Sequence, residues 1–304
     1  MFQSVETVWR PAYPVDVRRT LAPLRRGGGD PCHRVGADGA VWRTTRSPYG
    51  PASYRISNRG PHEIACTAWG SGAEWVIEGL AELLGGGADL AGFAAAHPLL
   101  ASTHRLHPGL RIPRTRRVLE ALVPAVLEQK VTGKEARDSW RWLVQRYGEP
   151  APGPAPLGMH VPPDAATWAL VPSWDWHRAG VDPKRSRTVV TAARGASRLE
   201  EAVAMTPDAA AARLSGLPGI GIWTVAEVAQ RALGDADALS VGDYHLSQFV
   251  GWALLGRPVD DDGMVELLAP WRPHRYLVVR LLELSGVRKP RFGARLTIQD
   301  HRAH

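Results

Sequence analysis

Leu217-Pro218-Gly219-Ile220-Gly221-Ile222-Trp223 is the stretch on which the fold of this chain turns. Upstream, Thr206-Pro207-Asp208 reads as an N-cap, a first-turn proline and an early acid, which predicts a short helix from Thr206 to Ser215. Downstream, Ile222, Val225, Ala226, Val228, Ala229, Ala232 and Leu233 predict a second, largely buried helix. Between them, Gly219 and Gly221 open backbone geometry closed to other residues and leave amides bare at a helix N-terminus, where an anion can approach. The pattern is a helix-hairpin-helix, and a DNA phosphate is the anion it suits. One helix length further on, Val241-Gly242-Asp243-Tyr244 presents a lone carboxylate at the start of another apolar helix. Asp243 has the position of an N-cap, and it would also face the sugar of a strand held by the hairpin. Breaking an N-glycosidic bond builds oxocarbenium character on that sugar, which a nearby carboxylate stabilises while it orients water.

Composition narrows the class. A chain of 304 residues, 44% hydrophobic, can bury a large core in two units or one divided domain. Lys plus Arg number 37 against 30 Asp plus Glu, a formal net charge of +7 with a sequence pI of about 9.8, which favours a polyanionic partner. Cys32 and Cys66 are too few for a disulfide framework, a four-cysteine zinc site or an iron-sulfur cluster; they read as two reduced cytosolic thiols, with a single bridge between them as the alternative. Glu6, Arg10 and Pro11 stand where a signal peptide would need an apolar core, and no run of about eighteen apolar residues occurs. The expectation is a soluble, cytoplasmic protein.

The organisation changes near residue 105. Before it, Val41-Trp42-Arg43-Thr44, Ser53-Tyr54-Arg55-Ile56 and Glu63-Ile64-Ala65-Cys66-Thr67-Ala68 alternate between turn residues and predict an antiparallel sheet. A helix is predicted from Ala73 to Leu84, ending at Gly85. Beyond it helical periodicity dominates: Val118, Leu119, Leu122, Val123, Val126 and Leu127 share an apolar face that Pro124 should bend. Thr132 and Glu135 form a capping box. Residues 148–163 hold six prolines and three glycines and read as an exposed connector. Lys184 to Arg194 is a basic helix in which Lys184, Arg185 and Arg187 are candidate phosphate contacts against the default of a solvated face. Helices at Tyr244 to Leu255 and His274 to Ser285 close the chain. The fold class is α+β: an N-terminal antiparallel sheet domain, 1–105, then a two-lobed all-helical domain, 106–304.

These residues resemble the helix-hairpin-helix DNA glycosylase superfamily, specifically its 3-methyladenine DNA glycosylase II group. The resemblance covers nearly the whole chain. It rests on Leu217 to Thr224 and Asp243-Tyr244, with support from Val126-Leu127-Glu128-Gln129-Lys130-Val131 and Pro183-Lys184-Arg185-Ser186-Arg187. It implies that Asp243 is the catalytic carboxylate and that the hairpin, Leu217 and Gly219 to Gly221, offers amides to phosphate. No cofactor is required, and a sodium or potassium ion is expected at the Ser215, Leu217 and Ile220 carbonyls. Bifunctional relatives carry, at the position of Trp223, a lysine that forms a Schiff base; tryptophan has no amine, so the resemblance implies a monofunctional hydrolase that leaves an abasic site. Trp223 is then either a wall of the base pocket or a brace for the hairpin.

A base must leave the duplex to be reached, and the gap needs a wedge. The family's wedge falls at Gln129 and Lys130; Lys130 departs from the leucine that relatives often carry, and reads as wedge or as surface lysine. Glu227 stands where relatives that excise alkylated purines carry a tyrosine, and Glu283 where a second pocket tryptophan is expected. The two acids either meet the base or pair with neighbouring arginines. Tyr244, Trp174 and Trp176 are alternative aromatic walls. A cationic alkylated base leaves as a neutral molecule without a general acid; His245 would serve as one only for neutral bases. The function so read is excision of a damaged, alkylated purine from double-stranded DNA in base excision repair, by a monomer in the cytoplasm, on the nucleoid in a bacterium. Two other readings fit: an oxidised or deaminated purine as substrate, or a catalytically silent DNA-binding protein.

Overall fold

A computed structural model describes residues 4–87, 90 and 92–290. The first unit is a five-stranded antiparallel sheet of β1 (Ser4–Trp9), β2 (His33–Val35), β3 (Val41–Ser47), β4 (Gly50–Gly60) and β5 (Glu63–Trp69), in spatial order β1-β5-β4-β3-β2. The three strands expected from alternation are β3, β4 and β5, with Thr45 opposite Ala52 and Ile56 opposite Cys66. The outermost strands β1 and β2 lacked that signal. Ala52, Tyr54, Ile56, Ile64, Cys66 and Ala68 face α1 (Val17–Leu21), α2 (Ala73–Glu78) and α3 (Leu80–Leu83) in one core. The helix expected from Ala73 to Leu84 is broken at Gly79, where a side chain would collide with the Arg116 guanidinium lying over Trp75.

The rest is helical: α4 (Pro98–Leu106), α5 (Val118–Leu127), α6 (Gly133–Tyr147), α7 (Ala165–Leu170), α8 (Ser173–Arg178), α9 (Pro183–Arg194), α10 (Ala196–Glu200), α11 (Pro207–Ser215), α12 (Ile222–Val228), α13 (Leu246–Leu255), α14 (Asp261–Leu268) and α15 (Arg275–Leu284). Every residue of α5 except Glu120 is buried, so its nearly all-round apolar character makes it the axis of a core shared with α6 to α12. Its first turn has no cap of its own; the Glu200 carboxylate accepts from Val118 N (2.8 Å) and Leu119 N (3.1 Å) instead. The third core joins α4 to α13, α14 and α15. Thr132 and Glu135 form the expected capping box.

The stretch 148–163 is no free connector. Glu149–Pro150 (β6) pairs with His160–Val161 (β7), Val161 is fully buried, and the His160 carbonyl accepts from Thr44 Oγ1 at 2.6 Å. Proline stiffness at the strand edge orders this segment against the sheet. Two more links lock sheet to helices: Glu120 of α5 accepts from Thr45 Oγ1 (2.7 Å), and Asp30 accepts from Trp140 Nε1 (3.1 Å). Asp30 is engaged in this way, and it forms no metal-ligating cluster with Cys32 and His33. Among the described residues no helix is long and apolar enough to cross a membrane.

Candidate active site at the hairpin and its crevice

Thr206 caps α11 through Ala209 N, and the helix runs to Ser215 before the turn. Gly219 adopts φ +88, a left-handed conformation, and a Cβ there would collide with the Thr188 hydroxyl of α9. Gly221 differs from expectation. Its φ of −100 is open to any residue and nothing lies within 4 Å of a Cβ, so its glycine serves the space in front of the turn. Gln129, at the end of α5, donates through Nε2 to Gly219 O (3.0 Å) and Thr224 Oγ1 (2.9 Å). It is therefore a brace for the hairpin and not a wedge, since both contacts would be lost if it entered a duplex. Lys130 beside it is exposed, with φ +55, at the tip of the same turn.

Asp243 follows Gly242, whose φ of +88 turns the chain and whose amide donates to Asp261 Oδ2 of α14 at 2.9 Å. One carboxylate oxygen, Oδ1, accepts from His245 N (2.8 Å) and Leu246 N (3.0 Å), the capping role at the start of α13. The other, Oδ2, lies 3.3 Å from Trp223 Nε1. The cap thus holds the carboxylate by one oxygen and leaves the second turned to the hairpin helix. Ser240 fixes the loop from behind: its hydroxyl donates to Glu227 Oε1 (2.6 Å) and accepts from Gln230 Nε2 (2.9 Å). His245 Nδ1 receives Lys289 Nζ at 3.0 Å, which places the ring proton on Nε2.

Deeper along α12 the charges are paired. Glu227 is buried and meets Arg231 Nη1 through Oε2 at 2.8 Å; Arg231 Nε donates to Pro23 O at 3.1 Å. Glu283 pairs with Arg280, whose Nη2 donates to Arg19 O at 3.3 Å. Arg26 Nη1 reaches Glu128 Oε1 at 2.9 Å. The N-terminal unit, expected to contribute little chemistry, supplies two carbonyls and one arginine to this network.

Comparison with known proteins follows the same lines. No family model matches the chain. Over 172 residues it is 33% identical to the probable bifunctional transcriptional activator/DNA repair enzyme AlkA of Mycobacterium tuberculosis, in two strains, covering 55% of this chain and 33% of the relative. The chain thus spans about a third of the length of the curated relatives it matches. In structure it is similar to the 3-methyladenine DNA-glycosylase of Archaeoglobus fulgidus, with a TM-score of 0.77 at 17% identity over 92% of this chain and 98% of that one. The apo 8-oxoguanine glycosylase/lyase of Clostridium acetobutylicum gives 0.71 at 11% identity over 94% and 99%. Mag1, a 3-methyladenine DNA glycosylase of Schizosaccharomyces pombe bound to abasic DNA, gives 0.51 at 17% over 63% and 93%. The chain has the fold of these DNA glycosylases, and over 172 residues its sequence is similar to that of the AlkA relative.

Within that fold, the site read from the sequence separates into parts. Hairpin, Asp243, Trp223 and Glu227 come together. Glu227 and Glu283 are not free acids, because each is neutralised by an arginine within one helical turn. Trp176 is not a pocket wall: it is buried in a stack with Trp168 and Trp140 and donates to Val171 O. Trp174 is 64% exposed on α8, and no contact carries it to Asp243. Tyr244 is 75% exposed with its ring edge-on to His245, a surface aromatic beside the carboxylate. Arg185 is buried, clamped by Asp182 and donating to Leu127 O at 2.7 Å, so only Lys184 and Arg187 of that run face outward. Sequence reading missed Ser240, Gln230 and Asp261, which position the Asp243 loop. It also missed Arg231, although its spacing of four from Glu227 was a visible ion-pair signal.

Proposed function

We propose that this protein is a monofunctional DNA glycosylase that removes an alkylated purine from double-stranded DNA, leaving an abasic site for base excision repair. The observation that carries the reading is the divided Asp243 carboxylate, one oxygen capping α13 and the other turned to Trp223 beside the hairpin. A backbone phosphate approaches the open face of the turn at Gly219 and Gly221, which sets the next sugar toward Asp243. As the glycosidic bond stretches, the sugar gains positive charge and Oδ2 stabilises it; the same carboxylate orients the water that completes hydrolysis. A base alkylated to a cation departs neutral, so no acid is needed, in keeping with a His245 that accepts from Lys289. Trp223 has no amine to attack the sugar, hence hydrolysis without strand cleavage. Lys130 at its exposed tip fills the gap in the duplex, and Lys184 and Arg187 meet phosphates.

A sodium or potassium ion at the hairpin belongs to the same reading. The Ser215 and Ile220 carbonyls receive no amide, and the Leu217 carbonyl receives only Ile220 N at 3.1 Å, so all three keep a lone pair for a cation. Bound there, it would stiffen the turn and add positive charge facing phosphate. The protein acts as a monomer in the cytoplasm, on the nucleoid of a bacterium.

The test is release of free base from methylated duplex DNA, with chromatographic identification, by wild type and Asp243→Asn. Asparagine keeps the capping oxygen, so folding and abasic-duplex binding should persist while release falls by about 100-fold or more. Equal release by the variant removes Asp243 from the chemistry; no release by wild type removes the reading itself.

A further inference from the structure

The tip that carries Lys130 is also the start of a second basic surface. Gln129 before it reaches Gly219 of the hairpin, and Glu128 is tied by Arg26 to the loop 27–29, three glycines in a row. Three residues after Lys130, α6 begins behind its Thr132 cap and lays two arginines on that loop.

The loop's glycines seat guanidinium groups. The stem of Arg137 crosses Gly27, whose φ is +82 and whose Cβ would collide with Arg137 Cδ. The Arg141 guanidinium fills the place of a Cβ on Gly29, and its Nε donates to Gly29 O at 3.1 Å. Arg25 donates through Nε to Gly27 O at 3.1 Å. A carbonyl can hold an arginine in place without cancelling its charge. Arg25, Lys130, Lys134 and Arg137 are all exposed. The carboxylates among them are engaged: Asp138 is shared by Lys134 (2.6 Å) and Arg141 (3.7 Å), and Glu135 serves the Thr132 cap. Arg25, Lys130, Lys134, Arg137 and Arg141 against Asp138 and Glu135 leave a surplus of three positive charges. A solvated charge run needs no glycine loop to seat it, and the mutual repulsion of these cations is a cost that a polyanion relieves.

We infer that this surface, the loop 27–29 with the first turns of α6, grips the undamaged strand of the duplex. The inference rests on the glycosylase reading above, which puts a phosphate of the lesion strand on the hairpin and Lys130 in the gap. Lys130 stands between the two surfaces, with Gln129 before it bound to the hairpin and α6 after it carrying the cations. A duplex parted at Lys130 meets the hairpin with one strand and the basic surface with the other. Such contacts go to phosphate and carry no sequence information, so the base opposite the lesion is not read, and paired DNA is preferred to a single strand.

The test is the double variant Lys134→Gln, Arg137→Gln, which removes two exposed charges and keeps good helix formers in α6. Affinity is measured by fluorescence anisotropy across a salt series, for a duplex with one abasic site and for the abasic strand alone. Melting temperature, and release of methylated purine by wild type, are followed alongside. The expected result is duplex binding weaker by about tenfold near 0.1 M salt, with the slope of log affinity against log salt shallower by about 2. Single-strand affinity and melting temperature should not move. Lys184→Gln, on the helix that meets the hairpin at Pro218, should weaken both DNA forms alike. Equal weakening of both forms by the double variant would put its two charges on the lesion strand, and no change in either would leave the surface merely solvated. Each result overturns the inference, as does a lowered melting temperature with loss on both forms, or a wild type that binds the single strand as tightly as the duplex. Any of these with base release by wild type intact overturns this inference alone. Absence of release by wild type overturns the glycosylase reading and this inference with it.

Discussion

The turn at Gly216–Gly221 and the crevice along α12 sit on the same helix and solve opposite problems. The turn works through backbone left bare at its exposed glycines, Gly216, Gly219 and Gly221, with Gly219 left-handed and braced by Gln129. The crevice works through buried side chains, each acid already matched to an arginine and each arginine tied to a carbonyl or carboxylate from another part of the chain. The first surface waits for a ligand that brings its own charge. The second has settled its charges internally. Under the proposed function, a phosphate, identical in every nucleotide, would be met by backbone, and a base, which must be told from others, by side chains.

If the crevice is an internally balanced network, removing one member should cost far more than altering the turn. Arg231→Met strands the buried Glu227 carboxylate and frees Pro23 O, and it should destabilise the protein by about 3–5 kcal/mol in urea unfolding. Adding Glu227→Leu should recover part of that loss, because replacing both charges removes the unpaired one. A loss below about 1 kcal/mol for Arg231→Met would show that the pair is no more than a surface contact, and the contrast would fail.

A second test concerns buried charge in the sheet unit that backs the crevice. His33 is buried with Nδ1 unpartnered, and burial, then Arg43 and Arg25, bring its imidazole down from 6.5 to about 3. The folded state therefore keeps His33 neutral where the unfolded state protonates it. Stability should be intact above about pH 7 and fall by up to about 1.4 kcal/mol per pH unit below pH 6.5 until the folded value is reached. His33→Gln should flatten that response in urea midpoints measured at pH 7 and 5; parallel curves for both proteins would assign the acid sensitivity elsewhere.

The same division explains what could be read from the chain alone. The cap at Thr206, the capping box at Thr132 and Glu135, the alternation of β3 to β5 and the position of Asp243 are local patterns, each decided by residues a few places apart. Gly79, Arg185, Trp176 and the stretch 148–163 were misread because their environments come from distant residues: Arg116 over Gly79, Leu127 O for Arg185, Trp168 beside Trp176, the sheet beneath His160. Glu227 and Glu283 were legible as departures from the family pattern, and pairing with arginines was one of two outcomes. Deciding between them needed Ser240 and Pro23, brought close only by folding.

The smallest effects discriminate most finely within the turn itself. Gly219→Ala forces a side chain into φ +88 and against Thr188, so a loss of about 1–2 kcal/mol in stability is expected, with weaker DNA binding as the hairpin distorts. Gly221→Ala meets neither obstacle: its backbone is ordinary and its Cβ would stand in open space. Stability should stay within about 0.5 kcal/mol of wild type, while affinity for an abasic duplex, followed by fluorescence anisotropy, should still fall, because the added methyl occupies the approach of the phosphate. Two glycines two residues apart would then fail for different reasons, one for the fold and one for the ligand. If Gly221→Ala binds as wild type does, the phosphate sits against Gly219 alone, and the open space before Gly221 belongs to the strand's path and not to its grip.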